Sequence, residues 1–216
     1  MARTRKVDLE LLAPHVLPDT PRGEAGPPVV WADLFGNDRP VEVEIGFGKG
    51  LFLRTTGAAN SDTNFFGVEI IRKYQLFAAI RLREAGIPNV RVACGDGGAI
   101  LRDRVAPGSV AAVHIYFPDP WWKSRHKKRR VFNEEFTHSV AKVLRPGGRF
   151  HIATDVEEYF GVMTALVRSQ PATFTEQPPP APHEPQHHMD YLTNFERKFR
   201  IEGRPIYRAV FSRNDH

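Results

Sequence analysis

Cysteine is nearly missing from this chain: Cys94 is the only one in 216 residues. A lone cysteine excludes an internal disulfide and any metal site built from several thiolates, and it accords with a reducing compartment. Cys94 itself reads as a small buried residue. Long apolar runs are also lacking. No stretch approaches the roughly 20 apolar residues that span a bilayer, and the basic start, residues 1–6, has no apolar segment behind it. Neither a membrane span nor a secretory signal is expected, and the cytoplasm is the expected location. A general excess of charge is missing too. The formal net charge is +5, yet Lys123, Arg125, Lys127, Lys128, Arg129 and Arg130 alone carry six positive charges, which leaves the rest of the chain at −1. Positive charge is therefore local, as in an electrostatic footprint for a polyanion.

What is present is ordinary for one globular domain, 41% hydrophobic and 25% charged residues, enough for a single core. Residues 1–28 read as an irregular basic arm with prolines at 14, 18, 21, 27 and 28, and residues 29–216 as one folded domain. Within that domain, residues 177–188 form a linker rich in proline and histidine, in which His183, His187 and His188 are expected to be solvated.

The richest stretch is HIYFPDPWWKSRHKKRR, residues 114–130. An apolar strand, residues 110–117, stops at Pro118, and Pro118 and Pro120 bracket Asp119. A residue before proline is pushed out of the helical region, so Asp119 is expected in an extended or turn geometry just past the strand. Trp121, Trp122 and the cations follow. A fixed carboxylate, stacking surfaces and a basic clamp together suit a nucleic acid whose base is read while its backbone is gripped. The alternative is a proline turn followed by a solvated charge run.

Along the chain, strands alternate with helices. Residues 41–45 (VEVEI) read as a strand that runs into Gly46-Phe47-Gly48-Lys49-Gly50 and a helix from Leu51. Gly46 and Gly48 let the backbone turn sharply and approach a ligand at a helix N-terminus. A dinucleotide fingerprint would place its third glycine where Leu51 stands, which favours a looser nucleoside site. Glu44 interrupts a strand type that is usually apolar throughout, beside the turn, where a carboxylate would meet a ligand's cationic amino group. Glu42 is excused by lying near the strand's start.

A second strand, residues 64–69, ends in Glu69, at the spacing from the first glycine where an acid takes a ribose diol. A helix over residues 70–85 and a strand over 90–93 follow. Asp96, in a glycine-rich loop, is placed either to accept from an adenine amino group or to cap the helix starting near Ala99. His114 lies inside the fourth strand and reads as a satisfied core histidine. A helix over 133–143, a turn at 145–148 and a strand over 149–154 ending at Asp155 complete five alternating units. The pattern predicts a doubly wound α/β sheet, with Glu44, Glu69, Asp96, Asp119 and Asp155 gathered at its strand ends. Acids spread over separate strands, with no histidine pair at ligand spacing near them, argue against a metal site, and none is expected. Residues 193–198 read as a lid over the pocket or as a surface helix, before a closing strand over 206–211.

Taken in order, EIGFGKG (44–50), GVE (67–69), GD (95–96), FPDPW with the basic run (117–130), TD (154–155) and TNFERK (193–198) resemble the bacterial tRNA (guanine-N7)-methyltransferases, a class I S-adenosylmethionine family. The likeness covers residues 41–211. It implies a Rossmann-like class I methyltransferase sheet, mostly parallel with a closing antiparallel strand, and methyl transfer from S-adenosylmethionine to N7 of a guanosine in the tRNA variable loop. It also implies that Glu44, Glu69, Asp96 and Asp119 surround the cofactor. Lys123, Asp155, Thr193, Asn194, Phe195 and Glu196 would hold the guanosine, and Ser124, Arg125, His126, Lys127, Lys128 and Arg129 would track the RNA. The family commonly has proline where Trp122 stands and a further lysine where Ser124 stands, departures that bear on RNA grip.

Guanine N7 carries a free lone pair and no proton, so positioning and electrostatics suffice for its methylation without a general base. Asp119 is the candidate catalytic residue, compensating the charge that develops on the purine. Two other readings remain: methylation of an exocyclic amine, since Asp119-Pro120-Trp121 resembles the acid-Pro-Pro-aromatic motif of amino methyltransferases, and RNA binding without catalysis.

Overall fold

The computed structural model describes residues 10–18, 26–121, 130–179 and 193–215. Trp122, Lys123, Ser124, Arg125, His126, Lys127, Lys128 and Arg129 lie outside these, as do His183, His187 and His188.

Apolar and β-branched runs form the strands β1 (Val41–Ile45), β2 (Asn64–Glu69), β3 (Val90–Cys94), β4 (Val110–Tyr116), β5 (Leu144–Thr154), β6 (Phe174–Gln177) and β7 (Tyr207–Arg213). Among the described residues they make one sheet in the order β3-β2-β1-β4-β5-β7-β6. The first five strands pair in parallel, while β7 runs antiparallel between β5 and β6. This is the doubly wound sheet that the residue pattern predicts, with the closing antiparallel strand that the family resemblance implies. The helices are α1 (Trp31–Phe35), α2 (Leu51–Ala59), α3 (Arg72–Glu84), α4 (Gly97–Arg104), α5 (Glu134–Val143), α6 (Glu157–Arg168) and α7 (Asn194–Ile201).

Alternating strand residues feed two cores. Val43, Ile45, Val113, Ile115, Phe150 and Ile152 share one with Phe136 and Val140 of α5 and Tyr159, Met163 and Val167 of α6. Phe65, Val90 and Val92 share the other with Phe52 and Leu53 of α2, and with Ala78 and Leu82 of α3. Leu12 joins this second core from a short 3-10 helix, Glu10–His15, within the segment that reads as an irregular arm.

Several expectations need correction. Sequence reasoning names no element between Asp155 and the linker, yet α6 and β6 stand there, and Gln177, assigned to the linker, is the last residue of β6. The turn at 145–148 is a bulge inside β5: pairing with β4 jumps from Leu144 to Arg149 while the partner advances only from Val110 to Ala112. Glu42 is not simply tolerated at a strand's start, because it accepts a 2.8 Å bond from His114 Nε2. His114 is the satisfied core histidine foreseen, its Nδ1 lying 2.8 Å from the Tyr116 hydroxyl and its ring stacked on His151 at 4.7 Å.

Gly67 of β2 shows how the sheet shapes the glycine turn. A methyl there would stand 2.4 Å from Leu53 Cδ1 and 2.6 Å from Phe47 Cδ1, so the missing side chain is what lets Phe47 lie against the sheet. Both neighbours are buried. Gly67→Ala should destabilise the protein by about 1–3 kcal/mol through overpacking, read as a lowered midpoint in chemical denaturation. An unchanged midpoint would show that the turn yields freely.

Candidate active site

Because β1 to β5 are parallel, their C-terminal ends share one edge, and the strand order sets the acids along it as Asp96, Glu69, Glu44, Asp119 and Asp155. Glu44 of β1 and Asp119 beyond β4 flank the point where the strand order reverses, the crevice in which open α/β sheets bind ligands.

Glu44 is 2% exposed, and its Oε2 has no hydrogen-bond partner among the described residues. Burial, and then the neighbouring Glu69 charge, push its carboxyl well above the ordinary carboxylate range. Glu69 is also buried, but its two oxygens are engaged: Oε2 accepts from Gly48 N at 2.9 Å and Oε1 from Ile71 N at 3.0 Å. It thereby pins the glycine turn to the end of β2, and each oxygen keeps a second acceptor direction. The turn itself needs glycine, with φ of 77° at Gly46, 54° at Gly48 and 70° at Gly50. Asp96 caps α4 through Oδ1, which accepts from Ala99 N at 3.1 Å, and this use of one oxygen does not exclude an adenine amino group on the other.

Asp119 is exposed, three residues past the end of β4. The residues that bracket its Pro-Asp-Pro turn, Phe117 and Trp121, both have positive φ, 53° and 41°. Non-glycine residues rarely adopt that region, and each costs on the order of 1–3 kcal/mol, strain that clusters at functional sites. Phe117 N donates to Ala153 O at 2.7 Å, so the turn leaves from the sheet itself. Behind it lies Tyr159 of α6, whose buried hydroxyl has no partner among the described residues and whose pKa is pushed up to about 12, chiefly by burial.

The sextet at 193–198 opens helix α7. Thr193 caps it, its Oγ1 accepting from Glu196 N at 3.0 Å. Phe195 and Phe199 present rings to Phe117, 6.2 and 5.4 Å between centroids, which brings the start of α7 beside the Asp119 turn. Phe195 remains 52% exposed, an open aromatic face at this edge. Glu196 is buried and bound by Arg208 at 2.6 Å and Arg200 at 3.0 Å. Asp155 pairs with Arg204, whose guanidinium also lies 4.2 Å over the Phe199 ring.

The structure thus gathers Glu44, Gly46, Gly48, Glu69, Asp96, Asp119, Asp155, Thr193, Asn194, Phe195 and Glu196 around one sheet edge, while Lys123 and Ser124 to Arg129 lie outside the described residues. Sequence reasoning missed Tyr159, Arg204 and Arg208. Tyr159, Met163 and Val167 recur every four residues, a helix signal available in the sequence. An arginine in the apolar closing strand was the available sign for Arg208. Among the described residues no group of three or more His, Cys, Asp or Glu is placed to hold a metal ion, and no helix is long and apolar enough to cross a membrane.

A parallel sheet with a glycine turn after β1 and acids on successive strand ends is the architecture of class I methyltransferases. Solved structures agree on the fold: an aminoglycoside resistance methyltransferase, NpmB1, superposes with a TM-score of 0.58 at 15% identity, covering 86% of this chain and 94% of its own. Precorrin-6y C5,15-methyltransferase from Geobacter metallireducens gives 0.55 at 13%, covering 82% of each. Residues 38–209 match a family model described as putative methyltransferase. A tRNA (guanine-N(7)-)-methyltransferase from Rhodopirellula baltica is 40% identical over 82% of this chain and 68% of its own length. One from Geobacter metallireducens is 37% identical over 92% of both, and one from Streptomyces coelicolor 38% identical over 86% and 68%. The chain belongs to the tRNA (guanine-N7)-methyltransferase family, enzymes that depend on S-adenosylmethionine.

Glu44 fits that cofactor, because a buried carboxylate oxygen without a partner is completed by a cationic amino group. Until then it is a liability. The folded protein holds this proton more tightly than the unfolded chain, so without ligand it loses stability as pH rises above the ordinary carboxylate value and up to the raised folded value. Glu44→Gln should therefore raise the ligand-free melting temperature at pH 8 by a few degrees, at about 2–4 °C per kcal/mol. It should also weaken S-adenosylmethionine binding by about 1.5–3 kcal/mol. Calorimetry and melting curves on both proteins decide it; unchanged affinity would remove Glu44 from the site.

Proposed function

We propose that this chain methylates N7 of a guanosine in the tRNA variable loop, in the cytoplasm, with Asp119 as the catalytic residue. The reading rests on one observation above all: acids from five parallel strands meet at one edge, and the most deeply buried of them, Glu44, has an oxygen left to pair. When bound, S-adenosylmethionine supplies an electrophilic sulfonium methyl. Glu44 would hold its amino group, Glu69 its ribose and Asp96 its adenine, while Gly46 and Gly48 would let the backbone come close.

The guanosine side is built by the Asp119 turn and α7. Asp119 accepts from guanine N1-H or its amino group, and its negative charge stabilises the purine as it becomes cationic. No residue has to remove a proton from N7. Phe195 offers its exposed ring for stacking, and Thr193, by capping α7, orients Asn194. Asp155 and Glu196 act through their arginine partners as much as directly, because Arg204 and Arg208 already hold them. Lys123 completes the guanosine site, and Ser124, Arg125, His126, Lys127, Lys128 and Arg129 track the RNA backbone.

Labelled S-adenosylmethionine incubated with unmodified tRNA, followed by nucleoside digestion, tests the reading. Label in 7-methylguanosine is the expected result; label on an exocyclic amine, or none, overturns it. Asp119→Asn keeps the shape but replaces an acceptor oxygen with a donor facing the guanine's own donors. Its single-turnover rate should fall on the order of a hundredfold, about 3 kcal/mol, with tRNA affinity retained. A wild-type rate would reduce Asp119 to a turn residue. Neutralising Lys127, Lys128 and Arg129 should instead weaken tRNA binding and shrink its salt dependence, by roughly one unit of slope for every one to two phosphates no longer neutralised. An unchanged slope would make the run a bystander.

A further inference from the structure

Arg130 ends the basic run in sequence, but its surroundings differ from those of a phosphate-binding cation. Its Nε donates to the Pro120 carbonyl at 2.7 Å, and its guanidinium lies over the Tyr159 ring, 5.0 Å from the centroid. Tyr159 is wholly buried in the core, so the ring is a fixed platform. A cation over an aromatic face is attracted by the negative charge of the ring's face. Stacking and donating at once need a planar guanidinium, which lysine cannot supply.

The turn has a physical need for this hold. Pro118 and Pro120 fix their own φ but leave ψ free, and the ψ of Pro120 sets where its carbonyl points. That carbonyl is the atom Arg130 grips. The next residue, Trp121, sits at φ 41°, a conformation that persists only when the surroundings enforce it. The prolines alone therefore do not fix the turn; a tie to α6 completes it.

We propose that Arg130 is a positioning residue, which ties Pro120 to the Tyr159 ring so that the Asp119 carboxylate is placed before tRNA arrives, and that it does not contact RNA phosphate. The proposal rests on the role given to Asp119 above. It separates Arg130 from the cations beside it: one element of the run serves the chemistry, the others the polyanion.

Arg130→Lys decides between the two roles, because it keeps the charge and removes the planar fork. Three quantities are read in the full-length protein: single-turnover methyl transfer at saturating tRNA and cofactor, tRNA affinity with its salt slope, and amide hydrogen exchange across residues 117–121. A misplaced carboxylate predicts a ten- to hundredfold slower turnover, tRNA affinity within twofold, an unchanged slope and faster exchange. Tyr159→Leu should give a similar loss of rate, with no further loss in the double variant, as for two parts of one brace. Wild-type turnover at saturation with weaker, less salt-dependent binding would make Arg130 a phosphate contact and overturn the proposal; so would unaltered exchange. If Tyr159→Leu does not fold, Arg130→Lys decides alone. A wild-type protein that methylates no tRNA would contradict the proposed function, and the exchange measurement would still decide the brace.

Discussion

A buried carboxyl with an oxygen left unpaired among the described residues, Glu44, is the constraint on which the rest of this site depends. Inside a protein a carboxyl without a partner is costly to bury and more costly to ionise, so Glu44, at 2% exposure, carries a cost that a cation or donors would relieve. Its neighbours make the arrangement coherent. Glu69 places a negative charge near Glu44 and, by accepting from Gly48, holds the glycine turn against the end of β2. The parallel order of β1 to β5 then sets Asp119 on the opposite bank.

Two kinds of rigidity meet at that crevice. On the Glu44 bank it comes from hydrogen bonds to the backbone and from glycines at positive φ. On the Asp119 bank it comes from prolines, from two strained aromatic residues and from tertiary holds: Phe195 and Phe199 against Phe117, and Arg130 between Pro120 and Tyr159. For a nucleophile with no proton to lose, such placement is the larger part of catalysis, because the charge that develops must find a fixed counter-charge. Along the chain, the strained turn and the basic run are consecutive.

The sheet was legible because local pattern decided it. β1, β2 and β4 are short apolar runs closed by glycine, acid or proline, and the acids at their ends are visible as interruptions of an otherwise apolar text. Glu44 stood out for that reason, and burial with an unpaired oxygen gives the oddity its physical content. What stayed hidden depends on partners far apart in sequence. Nothing near Asp155 announces Arg204, nothing near Glu196 announces Arg208, and Arg130 looks in sequence like its basic neighbours. Helix α6 is a different case: Tyr159, Met163 and Val167 carry its period in the sequence, but its first turn is acidic and no capping side chain marks its start. The bulge at 145–148 was read as a turn because two glycines and a proline allow both, and only pairing with β4 distinguishes them.

The central claim, that Glu44 holds its proton more tightly than an ordinary carboxyl until a cationic amino group pairs with it, has a direct signature. Acid and ammonium pair only after the carboxyl gives up its proton, so cofactor binding should release one. Titrating S-adenosylmethionine into the protein near neutral pH in buffers of different ionisation enthalpy measures that proton. The account predicts release of up to one proton by the wild type and none from Glu44 in Glu44→Gln; equal proton release by both proteins would contradict it.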